Sequence, residues 1–192
     1  MNIEYLPLRQ LNARFRDTIH HATRQLLSSG RYLKGNATAQ FEKAYARYIG
    51  TQHCIGCGNG FDALQLIFRA YIELGRLQPG DEVLVPANTF IASILAITEN
   101  GLTPVLIEPR MADMQIDDSL LERAITSRTR AVLLVHLYGI CAYTETIKQL
   151  CDKHRLLLIE DNAQGHGLLF RSQHTGSLGD AAAHSFYTSK NL

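Results

Sequence analysis

The 192-residue sequence lacks the features that mark exported, membrane-spanning and nucleic-acid-binding proteins. No stretch reaches the roughly eighteen consecutive apolar residues of a membrane span, and no apolar segment follows a basic start, so we expect a cytoplasmic protein without a membrane partner. Lys and Arg number 19 against 18 Asp and Glu, and they form no basic run. A nucleic-acid partner is therefore not expected.

Cysteine is scarce, and its spacing weighs against a disulfide framework or a metal site. The four cysteines, Cys54, Cys57, Cys141 and Cys151, occur without secretory features, so we expect reduced thiols. Cys54 and Cys57 form a CxxC pair, but neither a second pair nor a histidine motif follows at zinc-ligand spacing. We expect no metal.

The apolar pattern predicts two segments, residues 1–50 and 51–192. In the first, apolar residues from Leu8 to Leu26 recur at helical spacing and predict one helix ending near Gly30, and a second helix ends at Gly50. In the second, helical stretches alternate with apolar runs that predict strands: HCIGCG, EVLVP, PVLIE, AVLLVHL, LLLIED and AAAHSF. Continuous apolar runs of this kind predict an α/β fold with a mostly parallel sheet and helices on both faces.

Ligands of open α/β sheets bind beyond the carboxyl ends of the strands, so the chemistry is expected there. The first such place, GCGNG at residues 56–60, is a glycine-rich turn that can present backbone N–H groups to a phosphate. Phe61 stands where the dinucleotide fingerprint needs glycine, and VPAN follows where it needs an acid. Nicotinamide cofactors are therefore disfavoured.

Three further strand-end residues suggest one cofactor. Asp161 closes a buried strand and needs a positive partner, for which a protonated pyridine nitrogen is one candidate and a turn cap is the alternative. Lys190 can supply an amine for a Schiff base while Ser185 holds phosphate, although a lone lysine is more often a surface charge. Phe90 could stack on a planar ring or pack in the core.

The motifs GNGFDAL, VPANTFIAS, VHLYG, EDNAQGHG and SFYTSKNL resemble, in order, those of the DegT/DnrJ/EryC1/StrS sugar aminotransferases. The resemblance implies the large domain of a fold-type I, aspartate aminotransferase-like enzyme that uses pyridoxal 5'-phosphate. It also implies the roles of seven residues. These are Lys190 as the covalent anchor and proton carrier, Asp161 beside the pyridinium nitrogen, Gln164 near the phenolic oxygen, Phe90 on the ring, and Gly60, Phe61 and Ser185 at the phosphate.

The motifs look most like the subgroup that aminates dTDP-linked 3-keto-6-deoxyhexoses. That resemblance implies glutamate as amino donor, a homodimer, and a role in O-antigen, lipopolysaccharide or glycoside biosynthesis. Family members continue beyond the lysine, so we expect residues 51–192 to be a partial large domain without the small C-terminal domain, poorly stable or inactive alone. The alternative is a non-catalytic relative that binds a sugar nucleotide or an intact partner subunit.

Overall fold

The computed structural model describes residue 4 and residues 6–190, and its contacts divide the chain into two compact units, Met1–Gly56 and Cys57–Leu192. Among the described residues, no helix combines the length and apolar character needed to cross a bilayer. The four cysteines are free thiols. No group of three His, Cys, Asp or Glu side chains in the described part of the chain could hold a metal ion.

The first unit contains three helices, α1 (Leu8–Ala13), α2 (Arg16–Ser29) and α3 (Asn36–Ile49). The prediction of one helix from Leu8 to Gly30 was wrong. Phe15 leaves helical dihedrals at φ −115° and ψ 12°, and its N–H donates to Asn12, three residues back instead of four. The predicted ends are confirmed, since Gly30 and Gly50 both adopt the left-handed conformation that closes a helix.

The strand predicted at residues 53–58 was also wrong, because this segment is irregular in the structure. A strand needs a partner for its backbone groups, and the described ladders assign none to this segment. One of those groups is used locally instead, as the Gly56 N–H donates to the Glu42 carboxylate at 2.7 Å.

The second unit confirms the α/β prediction. Its helices are α4 (Gly60–Glu73), α5 (Ile91–Thr98), α6 (Asp118–Ala124) and α7 (Glu145–His154). Its strands are β1 (Glu82–Pro86), β2 (Thr103–Ile107), β3 (Thr129–Val135), β4 (Leu157–Asp161), β5 (Leu169–Phe170), β6 (Gln173–His174) and β7 (Ala181–Ala183). Five strands form one sheet in the order β2-β1-β3-β4-β7, and every described pairing in it is parallel. The short β5–β6 hairpin was not predicted.

Helices cover the sheet on both faces, and each face has its own apolar core. Phe68 of α4 and Ile97 of α5 pack with Ile159 of β4 in one cluster. Leu121 of α6 and Ile147 of α7 lie in the other cluster, which includes the next residue back along β4, Leu158. Because neighbouring strand residues point to opposite faces, Glu160 continues the α6–α7 face and Asp161 the α4–α5 face.

Candidate functional site

The carboxyl ends of the parallel strands place the predicted residues at one edge of the sheet. β4 ends at Asp161, in register with Val135 near the end of β3 and with Ala183 at the end of β7. Ser185 follows β7 after one further residue, and Phe90 follows β1 as the N-cap of α5. The sequence therefore brings an acid, a hydroxyl and an aromatic ring to this edge because each follows a strand of the same direction.

Asp161 is buried, and both of its carboxylate oxygens accept hydrogen bonds. Oδ2 accepts from the Ser93 hydroxyl at 2.8 Å, and Oδ1 from the Ala163 N–H at 3.1 Å. Burial raises the pKa of Asp161, and the two hydrogen bonds and the positive charge of Lys190 oppose that rise without cancelling it. A carboxylate in this setting gains most from a nearby cation, as its predicted role requires.

Lys190 lies in the turn that follows β7. Its backbone N–H donates to the carbonyl of Tyr187 at 2.8 Å, which closes the turn. Its side chain is half-buried, and its charge acts on the Asp161 carboxyl. The positive charge of the predicted amine thus acts on the predicted acid, although the two residues lie far apart in sequence.

The start of α4 forms a close junction with Ser185. The Asn59 side chain caps this helix by accepting from the Asp62 N–H at 2.9 Å, and the Asn59 carbonyl accepts from Ala63. The hydrogen bonds described for this turn include none from the N–H groups of Gly60 and Phe61. Two backbone donors therefore stand at the positive end of a 14-residue helix.

Glycine is needed at position 60 because the chain approaches too closely for a side chain. A Cβ built there would lie 2.9 Å from the Ser185 Cβ, 3.3 Å from the His184 carbonyl oxygen and 3.4 Å from the Ser185 Oγ. The hydroxyl of Ser185 consequently stands beside the free end of α4. Helix N-terminal amides together with a hydroxyl are a common phosphate-binding arrangement, and this junction fits the phosphate group of a cofactor.

Gln164 is oriented by a strained backbone residue. Its Oε1 accepts from the Tyr138 N–H at 2.6 Å, and Tyr138 has a φ of 59°, in the left-handed region. The amide oxygen of Gln164 is therefore held against the backbone of the turn that follows β3. Phe90 is 68% exposed, so its ring is accessible at the strand edge instead of packed in the core.

A buried polar network supports this edge from the opposite face of β4. Glu160 accepts from His136 Nε2 at 2.9 Å and from three backbone N–H groups, those of Gly176, Leu178 and Gly179, at 2.8 Å each. Burial raises the pKa of Glu160, but these donors outweigh it and hold the pKa below its usual value. Glu160 is therefore a structural carboxylate that ties β3, β4 and the segment before β7 together.

Sequence reasoning missed Ser93 and Thr89, which complete the surroundings of Asp161. Ser93 is fully buried in the first turn of α5, and its Oγ lies 2.8 Å from the Oγ1 of Thr89. The motif VPANTFIAS contains both residues, but the motif alone indicated only Phe90. The contact of Ser93 with Asp161 spans 68 residues of sequence, so local spacing could not reveal it.

A parallel α/β sheet with an acid, an amine and a helix N-terminus beside a hydroxyl at its carboxyl edge is the architecture of a cofactor-dependent transferase domain. Residues 14–192 match the model of the DegT/DnrJ/EryC1/StrS aminotransferase family, so the chain belongs to that family.

Curated relatives with established names are similar over nearly the whole chain. A dTDP-3-amino-3,6-dideoxy-alpha-D-galactopyranose transaminase of Aneurinibacillus thermoaerophilus is 50% identical over 96% of this chain and 50% of its own length. A dTDP-3-amino-3,4,6-trideoxy-alpha-D-glucose transaminase of Streptomyces venezuelae is 44% identical over 99% of this chain and 49% of its own. The chain spans about half the length of the curated relatives it matches.

Solved structures agree with the fold. S. venezuelae DesV, solved in complex with a ketimine intermediate, superposes with a TM-score of 0.92 at 44% identity, covering 99% of this chain and 50% of that one. The PLP form of the sugar aminotransferase Spr1654 from Streptococcus pneumoniae gives a TM-score of 0.77 at 30% identity, over 83% of this chain and 43% of that one. The fold is therefore that of the sugar aminotransferases.

Proposed function

We propose that the protein containing this chain is a pyridoxal phosphate-dependent aminotransferase that transfers an amino group to a nucleotide-linked keto-6-deoxyhexose, specifically a dTDP-linked 3-keto sugar. One observation carries the proposal. Asp161, Lys190 and the Gly60–Ser185 junction lie at the same edge of the sheet. Pyridoxal phosphate, when bound, supplies an electron sink that allows an amino group to pass from one carbon skeleton to another. The names of the two dTDP-sugar transaminases support the substrate class.

Each residue at the edge has one task. The N–H groups of Gly60 and Phe61 and the Ser185 hydroxyl bind the phosphate, and Phe90 packs on the ring. Asp161 accepts a hydrogen bond from the protonated ring nitrogen, which its buried carboxylate stabilises electrostatically. Gln164 lies near the phenolic oxygen. Lys190 would hold the cofactor through its Nζ, and the same amine could carry a proton to or from the reacting carbon.

We propose that glutamate is the amino donor, that the protein acts in the cytoplasm as a homodimer, and that its product enters O-antigen, lipopolysaccharide or glycoside biosynthesis. We also propose that residues 51–192 supply the cofactor-binding part of the large domain and residues 1–50 a separate helical segment.

The test uses the complete protein that contains this chain. Adding pyridoxal phosphate should produce a visible absorption band, and Lys190→Ala should abolish the band because it removes the amine that binds the cofactor. Lys153→Ala is the matched control, since Lys153 pairs with Glu122 on exposed helical surface, and it should leave the band intact. A folded protein with no band, or a band that survives Lys190→Ala, contradicts the proposal.

A further inference from the structure

Two hydroxyls behind Asp161 form a directed chain. Ser93 donates its single hydroxyl proton to Asp161 Oδ2 at 2.8 Å. Thr89 Oγ1 lies 2.8 Å from Ser93 Oγ, and since the Ser93 proton is already used, Thr89 must be the donor in that contact. The two hydrogen bonds therefore run in one direction, from Thr89 through Ser93 to Asp161. This direction requires the oxygen of Asp161 to be an acceptor.

The two hydroxyls are held by the local backbone and not by chance rotamers at the surface. The Thr89 N–H donates to the Pro86 carbonyl, so Thr89 belongs to the turn that leaves β1. The Ser93 N–H donates to the Phe90 carbonyl in the first turn of α5. Ser93 is fully buried, and a hydroxyl without a partner at such a place would destabilise the fold.

The same carboxylate is restrained on its other side. Oδ1 accepts from the Ala163 N–H at 3.1 Å, so each oxygen has one donor within the protein and further lone-pair capacity. With a donor on each oxygen, the carboxyl plane has little freedom to rotate. Charges reach Asp161 from two other elements, from Lys190 in the last turn and from His136 after β3, but neither supplies these hydrogen bonds.

We propose that Ser93, oriented by Thr89, is a positioning residue that fixes the Asp161 carboxylate as an ionised acceptor for the ring nitrogen of the cofactor. The inference rests on the proposed function and deepens it, because it assigns a task to two residues outside the seven that are proposed to hold the cofactor. The Ser93 hydroxyl stabilises the charged form of Asp161. Its loss therefore favours protonation of Asp161 itself and leaves less negative charge to stabilise a protonated ring nitrogen.

The decisive variant is Ser93→Ala in the complete protein, loaded with pyridoxal phosphate. The pH midpoint of the visible absorption band should rise by about half a pH unit or more, because a ring nitrogen that is less firmly protonated leaves the Lys190 nitrogen more basic. Cofactor affinity should fall by about tenfold, the equivalent of one lost charge-assisted hydrogen bond. Thr89→Val should shift the midpoint in the same direction by less.

Two controls separate positioning from general damage. Ser93→Thr keeps the hydroxyl and should restore the midpoint, even if its extra methyl group lowers stability in this buried place. Thr98→Ala removes an exposed hydroxyl from the same helix, one that bonds only the Leu95 carbonyl, and should leave the midpoint unchanged. A midpoint that is the same in folded Ser93→Ala as in the wild type overturns the inference.

A second readout needs no cofactor and so distinguishes this inference from the proposed function. In the apo protein, the ¹³C resonance of the Asp161 carboxyl should titrate at a higher pH in Ser93→Ala than in the wild type. An unchanged titration overturns the positioning role. If the wild type binds no cofactor, the proposed function fails, and the positioning inference fails with it because there is no ring nitrogen for Asp161 to accept from.

Discussion

Glu160 and Asp161 are adjacent carboxylates on β4, yet the two faces of the strand use them in opposite ways. On the α6–α7 face, Glu160 accepts from His136 and from three backbone amides, and its pKa is lowered. On the α4–α5 face, Asp161 accepts from one hydroxyl and one amide, and its pKa is raised. The charge of Glu160 is stabilised by donors within the protein, whereas the charge of Asp161 would be stabilised further by another positive group.

The difference shows how a buried charge can serve structure or function. A buried carboxylate surrounded by donors holds elements together, because its removal leaves those donors unpaired. A buried carboxylate with fewer donors is less stable in its charged form, and a positively charged ligand relieves that cost when it binds. The alternation of side chains along one strand separates the two roles by a single residue.

The largest expected effect is on catalysis, through Asp161→Asn. In the complete protein, the proposed transaminase activity should fall by about a hundredfold to a thousandfold, because an amide cannot stabilise a protonated ring nitrogen as a carboxylate does. Steady-state kinetics with the dTDP-linked keto sugar measure this. Glu160→Gln is the comparison variant, and an equal loss of kcat in both, after correction for folded fraction, would contradict the separation of roles.

The free energy of unfolding of the apo protein should rank the two variants the other way, with Glu160→Gln more harmful than Asp161→Asn. Because the folded pKa of Asp161 is above its unfolded value, folding binds a proton between the two values, and stability falls as pH rises through that window. Asp161→Asn should remove this fall. Urea unfolding from pH 3 to pH 8 measures it, and Asp161→Asn less stable than the wild type at pH 7 would show that Asp161 is chiefly structural.

Glu160→Gln should destabilise the fold by about 3 kcal/mol, because an NH₂ group would face donors that need an acceptor. The pH dependence has the opposite sign to that of Asp161. The Glu160 pKa is lowered on folding, so its stabilisation is present above the unfolded pKa and is lost as pH falls toward the folded one. Urea unfolding at several pH values measures the loss of stability and its pH dependence. Glu122 is exposed and pairs with Lys153, so the control variant Glu122→Gln should change stability far less.

The smallest expected effect concerns the phosphate junction, which lies on the same side as Asp161. Gly60→Ala should cost about 1–2 kcal/mol of stability, because the new Cβ would lie 2.9 Å from the Ser185 Cβ. Adding Ser185→Gly removes that Cβ and should recover part of the stability. Cofactor affinity, measured by titrating the visible band, should stay low in the double variant because the hydroxyl is also gone. Full recovery of affinity would exclude Ser185 from the phosphate site.

Sequence reasoning succeeded where local pattern and topology coincide. Continuous apolar runs predicted β1 to β4, and the rule that ligands meet strand ends singled out Asp161, which the structure buries beside Ser93. It failed where pairing is decided at long range. The HCIGCG run has strand composition but no described partner, and Ser93 reaches Asp161 across a sequence distance that no local spacing encodes.

The left-handed turn at Tyr138 has a consequence for how this protein can vary. The group that orients Gln164 is a main-chain N–H, so every residue except proline brings it, and the aromatic ring of Tyr138 has no part in that bond. Asparagine or glycine at position 138 would tolerate the same φ of 59° with less strain. The site therefore depends at this position on a backbone conformation, and substitutions that keep the conformation should be silent.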